Sequence, residues 1–170
     1  MLAVNARSSR FGNARGFSLV ELIAVMVVLA ILAGVAAPRF FSYSTDAKSS
    51  AVQGTLGGVR TGLANYFANT SIAGTPAYPT FDELTTPGTV MQEAIPNNSY
   101  NNIKDVQKIT DKGAADKRAV TKTGQFGWNY YVDNTATPPV CIFWANSTDE
   151  TRVVASNKNG KTTYFKANEL

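Results

Sequence analysis

A run of apolar residues between positions 17 and 37 constrains this chain more than any other feature of its sequence. The run spans 21 residues and is interrupted only by Ser18 and Glu21. As an α-helix it is about 31 Å long, which matches the hydrocarbon thickness of a bilayer. Pro38 follows it directly. The sequence therefore predicts a helix that is able to cross a membrane.

A short basic segment precedes this apolar run. Residues 1–16 contain Arg7, Arg10 and Arg15 but no acidic residue, so they carry +3 of the chain's net charge of +4. The rest of the chain holds 13 basic and 12 acidic side chains. The positive-inside bias places the basic end on the cytoplasmic side of a membrane. The global charge is too small to indicate a nucleic-acid partner.

Three interpretations of this N-terminus compete. An ordinary secretory signal peptide fits the charges, but the apolar region is too long for one and contains a glutamate. A cut after Ala37 would also place Pro38 directly behind the cleaved bond, where it hinders cleavage. A plain signal anchor with Glu21 near the membrane interface is the second interpretation. The third is a cleaved leader followed by a retained helix.

The third interpretation rests on a specific motif, Arg15-Gly16-Phe17-Ser18-Leu19-Val20-Glu21-Leu22. It resembles the processing site of type IV pilins and type II secretion pseudopilins, in which a basic leader ends in glycine and a glutamate is the fifth residue after the cut. The resemblance implies that a membrane aspartyl peptidase, the prepilin peptidase, cuts between Gly16 and Phe17 and methylates Phe17. The mature subunit then has 154 residues, the 170 of the chain less the 16 of the leader.

The charge of Glu21 is the unusual element of the apolar run. A carboxylate there costs roughly 2.5–3.5 kcal/mol on insertion, so we look for a partner. Cleavage creates one, the amine of Phe17, which lies four residues away on the same face of the predicted helix. Glu21 pairs either with its own N-terminus or with that of a neighbouring subunit, and the family resemblance implies the neighbour. The alternative is that the Glu21 carboxylate only reaches up to the lipid head groups and has no role in assembly.

Apolar spacing continues beyond Pro38 and predicts one helix from about Phe17 to about Asn69. Pro38 is expected to bend or loosen it between Gly34 and Pro38. One face of the second half is apolar at 4-3-4-3 spacing, and it consists of Val52, Leu56, Val59, Leu63 and Tyr66.

A stripe of small residues lies roughly opposite that apolar face. Each glycine costs about 1 kcal/mol relative to alanine in a helix, so the glycines call for an explanation. We expect the apolar face to pack on the protein's own sheet and the stripe to meet neighbouring helices in a fibre. A weakly stable exposed face is the alternative. The stripe comprises Ala47, Ala51, Gly54, Gly58 and Gly62.

The remainder of the chain predicts a small head domain. Thr80 and Glu83 have capping-box spacing, which indicates a short helix. Residues 85–123 are expected to be mainly loop, and six basic side chains between positions 104 and 122 belong to a solvated loop or, alternatively, contact DNA or an anionic surface. From residue 124 the pattern predicts short strands in an antiparallel meander, with the tightest turn at Asn159-Gly160. Trp128 and Trp144 are expected in the core.

These elements give an α+β, pilin-like fold, a long N-terminal helix packed against a C-terminal antiparallel β-meander. The expected organisation is a leader at 1–16, a membrane and filament-core helix at 17–38, and a head at 39–170. Within the head we expect helix to about residue 70, loop at 71–123 and sheet at 124–167. The lone Cys141 cannot form the intramolecular disulfide of many major pilins, and its strand setting suggests a buried thiol. Asp133, Asp149 and Glu150 are too scattered for the calcium site of major pseudopilins.

The function class follows from the motif and from what the composition excludes. The chain has no histidine, and no paired carboxylates, nucleophile–base set or phosphate loop is visible, so we expect neither catalytic residues nor a cofactor or metal. The resemblance implies a structural filament subunit, with other pilin subunits, the prepilin peptidase, an inner-membrane assembly platform and the inner membrane as partners. It would lie in the inner membrane before assembly, and in an extracellular pilus or periplasmic pseudopilus afterwards.

Two alternatives remain open. One is a minor pilin or pseudopilin of a secretion or DNA-uptake system. The other is a secreted binding domain with an ordinary signal peptide.

Overall fold

A single long helix opens the part of the chain that the structure describes. The computed structural model describes residues 16–158 and 161–170. The described chain divides into two units, one ending at Phe41 and the other spanning Ser42–Leu170. Helix α1, Leu19–Ile72, contributes residues to both units. The predicted long N-terminal helix and the α+β class are confirmed.

Turn-forming residues end helix α1 three residues later than predicted. The Ala73 N–H donates to the Asn69 carbonyl at 3.1 Å, and the Thr75 N–H donates to the Thr70 carbonyl at 3.0 Å. Between them, Gly74 has a φ of +83°, the left-handed conformation in which helices commonly stop.

Helix α2, Phe81–Thr85, carries the predicted capping box. The Thr80 hydroxyl accepts from the Glu83 N–H at 3.4 Å, and the Thr80 N–H donates to the Glu83 carboxylate at 2.7 Å. The Tyr66 hydroxyl donates to the same carboxylate at 2.8 Å and ties α2 to α1. Hydrogen bonds from Thr80, and to a smaller extent from Tyr66, lower the pKa of the Glu83 carboxyl group.

The main sheet has three strands in the order β1-β2-β3. Strands β2, Trp128–Asp133, and β3, Val140–Ala145, pair antiparallel as predicted. Strand β1, Val106–Ile109, pairs parallel to β2, and helix α3, Lys112–Asp116, lies in the connection between them. The sheet is therefore mixed rather than an antiparallel meander. The segment 85–123 was expected to be mainly loop because a four-residue strand with two polar residues has no recognisable pattern, and its parallel partner is distant in sequence.

The last two strands form a sheet of their own. Strand β4, Glu150–Lys158, and strand β5, Lys161–Lys166, pair antiparallel, with register shifts between Glu150 and Ser156. A short 3₁₀ helix, Ala167–Glu169, follows. The two strands are predicted correctly, but they do not continue the main sheet. The predicted turn at Asn159-Gly160 lies outside the described residues.

The core of the second unit lies between helix α1 and one face of the main sheet. The predicted face of α1 is buried, since Val52, Leu56, Val59 and Leu63 pack with Trp128, Tyr130 and Phe143 of the sheet. The opposite face of the sheet packs Tyr131 and Trp144 against Ala115 of α3. Both tryptophans are buried, as predicted.

Buried polar groups fasten the connecting loops to this core. The indole N–H groups of Trp128 and Trp144 donate to the carbonyls of Pro96 and Ala119, at 2.9 and 3.1 Å. Gly127 lies where the loop meets the sheet, and a Cβ there would stand 1.8 Å from the Ile103 carbonyl oxygen. Only glycine allows so close an approach of two backbones.

Candidate functional site: the processing and assembly segment

The predicted cleavage site lies in the first described residues. Gly16, Phe17 and Ser18 have no regular secondary structure and are exposed. The Phe17 side chain is 81% exposed. A peptidase needs such an uncovered, non-helical backbone at the bond it cuts. The basic residues predicted to precede it, Arg7, Arg10 and Arg15, lie outside the described residues.

Ser18 starts helix α1, a role that the motif analysis missed. Its hydroxyl accepts from the Glu21 N–H at 3.2 Å, and its carbonyl accepts from the Leu22 N–H at 3.2 Å. These are the bonds of an N-cap residue. The Ser-x-x-Glu spacing of a capping box was present in the sequence and could have revealed it.

The start of the helix changes the setting of Glu21. Because α1 begins at Leu19, Phe17 lies before the helix, and the i,i+4 face predicted for Phe17 and Glu21 is not formed in this uncut chain. The prediction placed the helix start two residues too early because it ignored the preference of serine for the cap. Glu21 instead lies in the first turn, where the positive end of the helix dipole favours a carboxylate.

The apolar part of α1 is uncovered on all sides. Every large apolar side chain there is at least half exposed, including Leu22 and Ile23 at 51% each. Within the described residues α1 is the single helix that is long and apolar enough to cross a membrane. A continuous apolar surface of this kind is unusual on a soluble monomer and is typical of a segment that contacts a membrane or another protein. The exposed large apolar residues up to Phe41 are Phe17, Leu19, Val20, Leu22, Ile23, Val25, Met26, Val27, Val28, Leu29, Ile31, Leu32, Val35, Phe40 and Phe41.

Pro38 lies inside helix α1. Proline has no N–H, so the Gly34 carbonyl cannot receive the usual i→i−4 bond from it. The border between the two units falls after Phe41, three residues further on. The predicted bend at this position stays a prediction.

The stripe of small residues divides into two parts. Ala47, Ala51, Gly54 and Gly58 are exposed. Within the part of the chain that the structure describes, a Cβ added at Gly54 or Gly58 would meet no atom within 4 Å outside the neighbouring turns of the helix. Gly62 is different, because a Cβ there would lie 3.2 Å from both the Met91 sulfur and the Val90 carbonyl oxygen. Gly62 therefore packs against this chain's own loop, which the sequence pattern could not show.

The remaining candidate residues have local structural roles. Cys141 is partly buried on β3, and burial raises the pKa of its thiol to about 12. The Asp133 carboxylate accepts from the Thr135 N–H at 2.9 Å and so stabilises a turn. Across residues 16–158 and 161–170, no three His, Cys, Asp or Glu side chains are grouped as metal ligands.

The comparisons with known proteins agree with the motif. Residues 12–37 match the family model of the prokaryotic N-terminal methylation motif. This motif is the signature of type IV pilins and pseudopilins, so the chain carries a prepilin-type N-terminus. The class that carries it is structural rather than enzymatic. Neither the curated proteins nor the solved structures gave a match.

Proposed function

We propose that this chain is a structural subunit of a type IV pilus-like filament. The precursor is inserted in the inner membrane, loses its leader by a cut between Gly16 and Phe17, and polymerises through its N-terminal helix. The main support for the proposal is that the matched motif, residues 12–37, covers a helix segment whose apolar side chains are exposed on every face. A bilayer covers that surface before assembly, and neighbouring subunits cover it in the filament.

Glu21 sets the register of the subunits in this proposal. In the uncut chain its charge is favoured by the helix N-terminus, and its backbone N–H is held by the Ser18 hydroxyl at 3.2 Å. Cleavage adds a positive amine at Phe17, four residues before it. A carboxylate that enters an apolar bundle needs such a counter-charge. The counter-charge is either the amine of the same subunit or the amine of a neighbouring one.

The exposed glycines provide the second contact. Gly54 and Gly58 lie on α1 where, among the described residues, no atom beyond the neighbouring turns of the helix comes within 4 Å of an added Cβ. Their presence does not improve the monomer, since glycine weakens a helix interior by about 1 kcal/mol. Small residues at this spacing let two helix backbones approach closely, which suits packing between subunits.

A filament preparation tests the proposal. The full chain is expressed in a host that has a prepilin peptidase and assembly platform, and surface filaments are sheared off and analysed by electron microscopy and immunoblotting. We expect the chain in the filaments, shorter than its precursor. In a matched strain without the peptidase, the uncut precursor should stay in the membrane and filaments that contain it should be absent. Equal release from both strains would contradict the proposal.

A minor pilin or pseudopilin is the second candidate. The lone Cys141 favours it over a major pilin, because many major pilins close a C-terminal loop with a cysteine pair. The ratio of this chain to other subunits in the sheared fraction distinguishes the two roles. A filament made mostly of this chain identifies a major subunit, and a trace amount identifies a minor one.

A further inference from the structure

A groove of about 400 Å³ opens on the head between helix α1, helix α3 and strand β3. Its volume falls within the roughly 300–1,000 Å³ of small-molecule sites. Leu63, Ile142 and Phe143 supply apolar wall, while the charged side chains at the groove are Arg60, Arg118 and Asp116. An apolar wall with a few charged groups is the usual composition of a ligand site.

The two arginines keep most of their donors available. Arg60 donates from Nη2 to the Phe143 carbonyl at 3.2 Å, and Arg118 donates from Nη1 to the Glu169 carbonyl. Over residues 16–158 and 161–170, neither guanidinium forms an ion pair with a carboxylate. A guanidinium has five N–H donors, so each retains several. Burial, and to a smaller extent the charge of Arg118, lowers the pKa of Arg60.

The backbone holds Arg118 in place. Its N–H donates to the Ala115 carbonyl at 2.9 Å, and its carbonyl accepts from the Asn168 side chain at 2.9 Å. Its φ of +47° is a left-handed conformation that a non-glycine residue adopts only where its surroundings require it. The backbone of Arg118 is therefore fixed before any ligand arrives, which reduces the entropy lost on binding.

We propose that this groove binds a carboxylate group attached to an apolar body, and that Arg60 and Arg118 hold the carboxylate. The two arginines and Asp116 sum to one positive charge, which a single carboxylate neutralises. A planar guanidinium matches a carboxylate in a two-point contact. The apolar body lies along Leu63 and Ile142. The carboxylate comes either from a free small molecule or from an Asp or Glu side chain of a second copy of this chain.

Nuclear magnetic resonance of the full chain in non-ionic detergent tests the site. Benzoate is the probe, and benzamide is the neutral control of the same shape. We expect benzoate to shift the side-chain Nε–H signals of Arg60 and Arg118 to saturation, while benzamide leaves them unchanged. Inorganic phosphate should bind more weakly, because it lacks the apolar body that lies along Leu63 and Ile142. Shifts that rise linearly with benzoate and never saturate would overturn the proposal.

Substitutions locate the contact. Arg118→Gln and Arg60→Gln should each weaken benzoate binding by roughly tenfold or more, as expected when a charge-assisted contact is lost. Lys117→Gln removes the same charge from an exposed neighbour outside the groove and should leave the affinity unchanged. Near-ultraviolet circular dichroism of the buried tryptophans confirms that each variant is folded. Equal loss in all three variants contradicts a specific site.

A dilution series identifies the source of the carboxylate. If the ligand is a side chain of a second copy, the arginine signals move with protein concentration and benzoate reverses the movement. If the ligand is a small molecule, they respond to benzoate alone. Either result supports the site, and the absence of both overturns it. Filament assembly is not needed for this measurement, so the outcome is independent of the proposed function.

Discussion

The two halves of helix α1 use leucine in opposite ways. Leu29, in the unit that ends at Phe41, is 58% exposed, whereas Leu56, in the unit Ser42–Leu170, is 2% exposed. In the first half apolar side chains occupy every face of the helix, and in the second they occupy one face at 4-3-4-3 spacing. The second half completes a core within its own chain. In the proposed function the first half is covered by lipid before assembly and by other subunits afterwards.

Substitution at the cleavage site gives the largest effect that this comparison predicts. Gly16→Leu should abolish removal of the leader, because a side chain there obstructs the extended backbone that the peptidase binds. The precursor should accumulate in the membrane and no filaments should form, as an immunoblot of membrane and sheared fractions shows. The head should fold normally. Normal cleavage of this variant would show that removal of the leader does not require Gly16.

Removal of the carboxylate in the first half comes next. Glu21→Ala should lower filament yield by tenfold or more, since an N-terminal amine without its counter-charge must enter an apolar bundle. Cleavage should stay intact, because Glu21 lies beyond the cut bond. The yield is measured as the ratio of sheared to membrane-bound subunit.

Glu93→Ala is the matched control for the loss of one carboxylate, because Glu93 is exposed on the head. It should assemble as the unmodified chain does. Normal filament yield from Glu21→Ala would refute the role of the charge pair.

The same substitution in the two halves tests the comparison itself. Leu56→Ala should destabilise the head by about 2–5 kcal/mol, because it opens a cavity in a packed core. Leu29→Ala should leave the unfolding transition of the head unchanged, because Leu29 is 58% exposed and its truncation opens no cavity in a core. Thermal unfolding in detergent, followed by tryptophan fluorescence, measures both. Similar losses from both variants would show that the first half is packed within the monomer.

The glycines of the second half give a smaller and more selective effect. Gly58→Leu should reduce filament yield while raising the stability of the head by up to about 1 kcal/mol, because leucine favours a helix more than glycine does. A Cβ at this position meets no described atom within 4 Å outside the neighbouring turns of its own helix. Gly62→Leu should do the reverse and lower head stability, since Val90 and Met91 occupy the space. If both variants assemble normally, the exposed stripe has no part in the fibre.

Sequence reasoning succeeded where a periodic pattern was long. The apolar run, the buried face around Leu56 and the Thr80 capping box follow from spacing alone, and the structure confirms them. It failed where a partner is distant in the chain. Strand β1 exists because it pairs with β2 across helix α3, and neither its composition nor its length reveals this.

The same limit applies to the candidate site. Gly54, Gly58 and Gly62 are equivalent in the sequence pattern, and only the fold brings Val90 and Met91 onto Gly62. Arg60, on α1, and Arg118, just after α3, lie 58 positions apart and line one groove only in the folded chain. Ser18 was recognisable from its capping spacing, but the methylation motif drew attention to its neighbours.

The mature N-terminus of the subunit tests the central claim most directly. Mass spectrometry of the N-terminal peptide from sheared filaments should give a chain that begins at Phe17 and carries one methyl group on its amine. The apolar helix would then be intact and available to cover its neighbours. A subunit that keeps its first 16 residues, or one that begins near Pro38 without the apolar helix, would contradict this account.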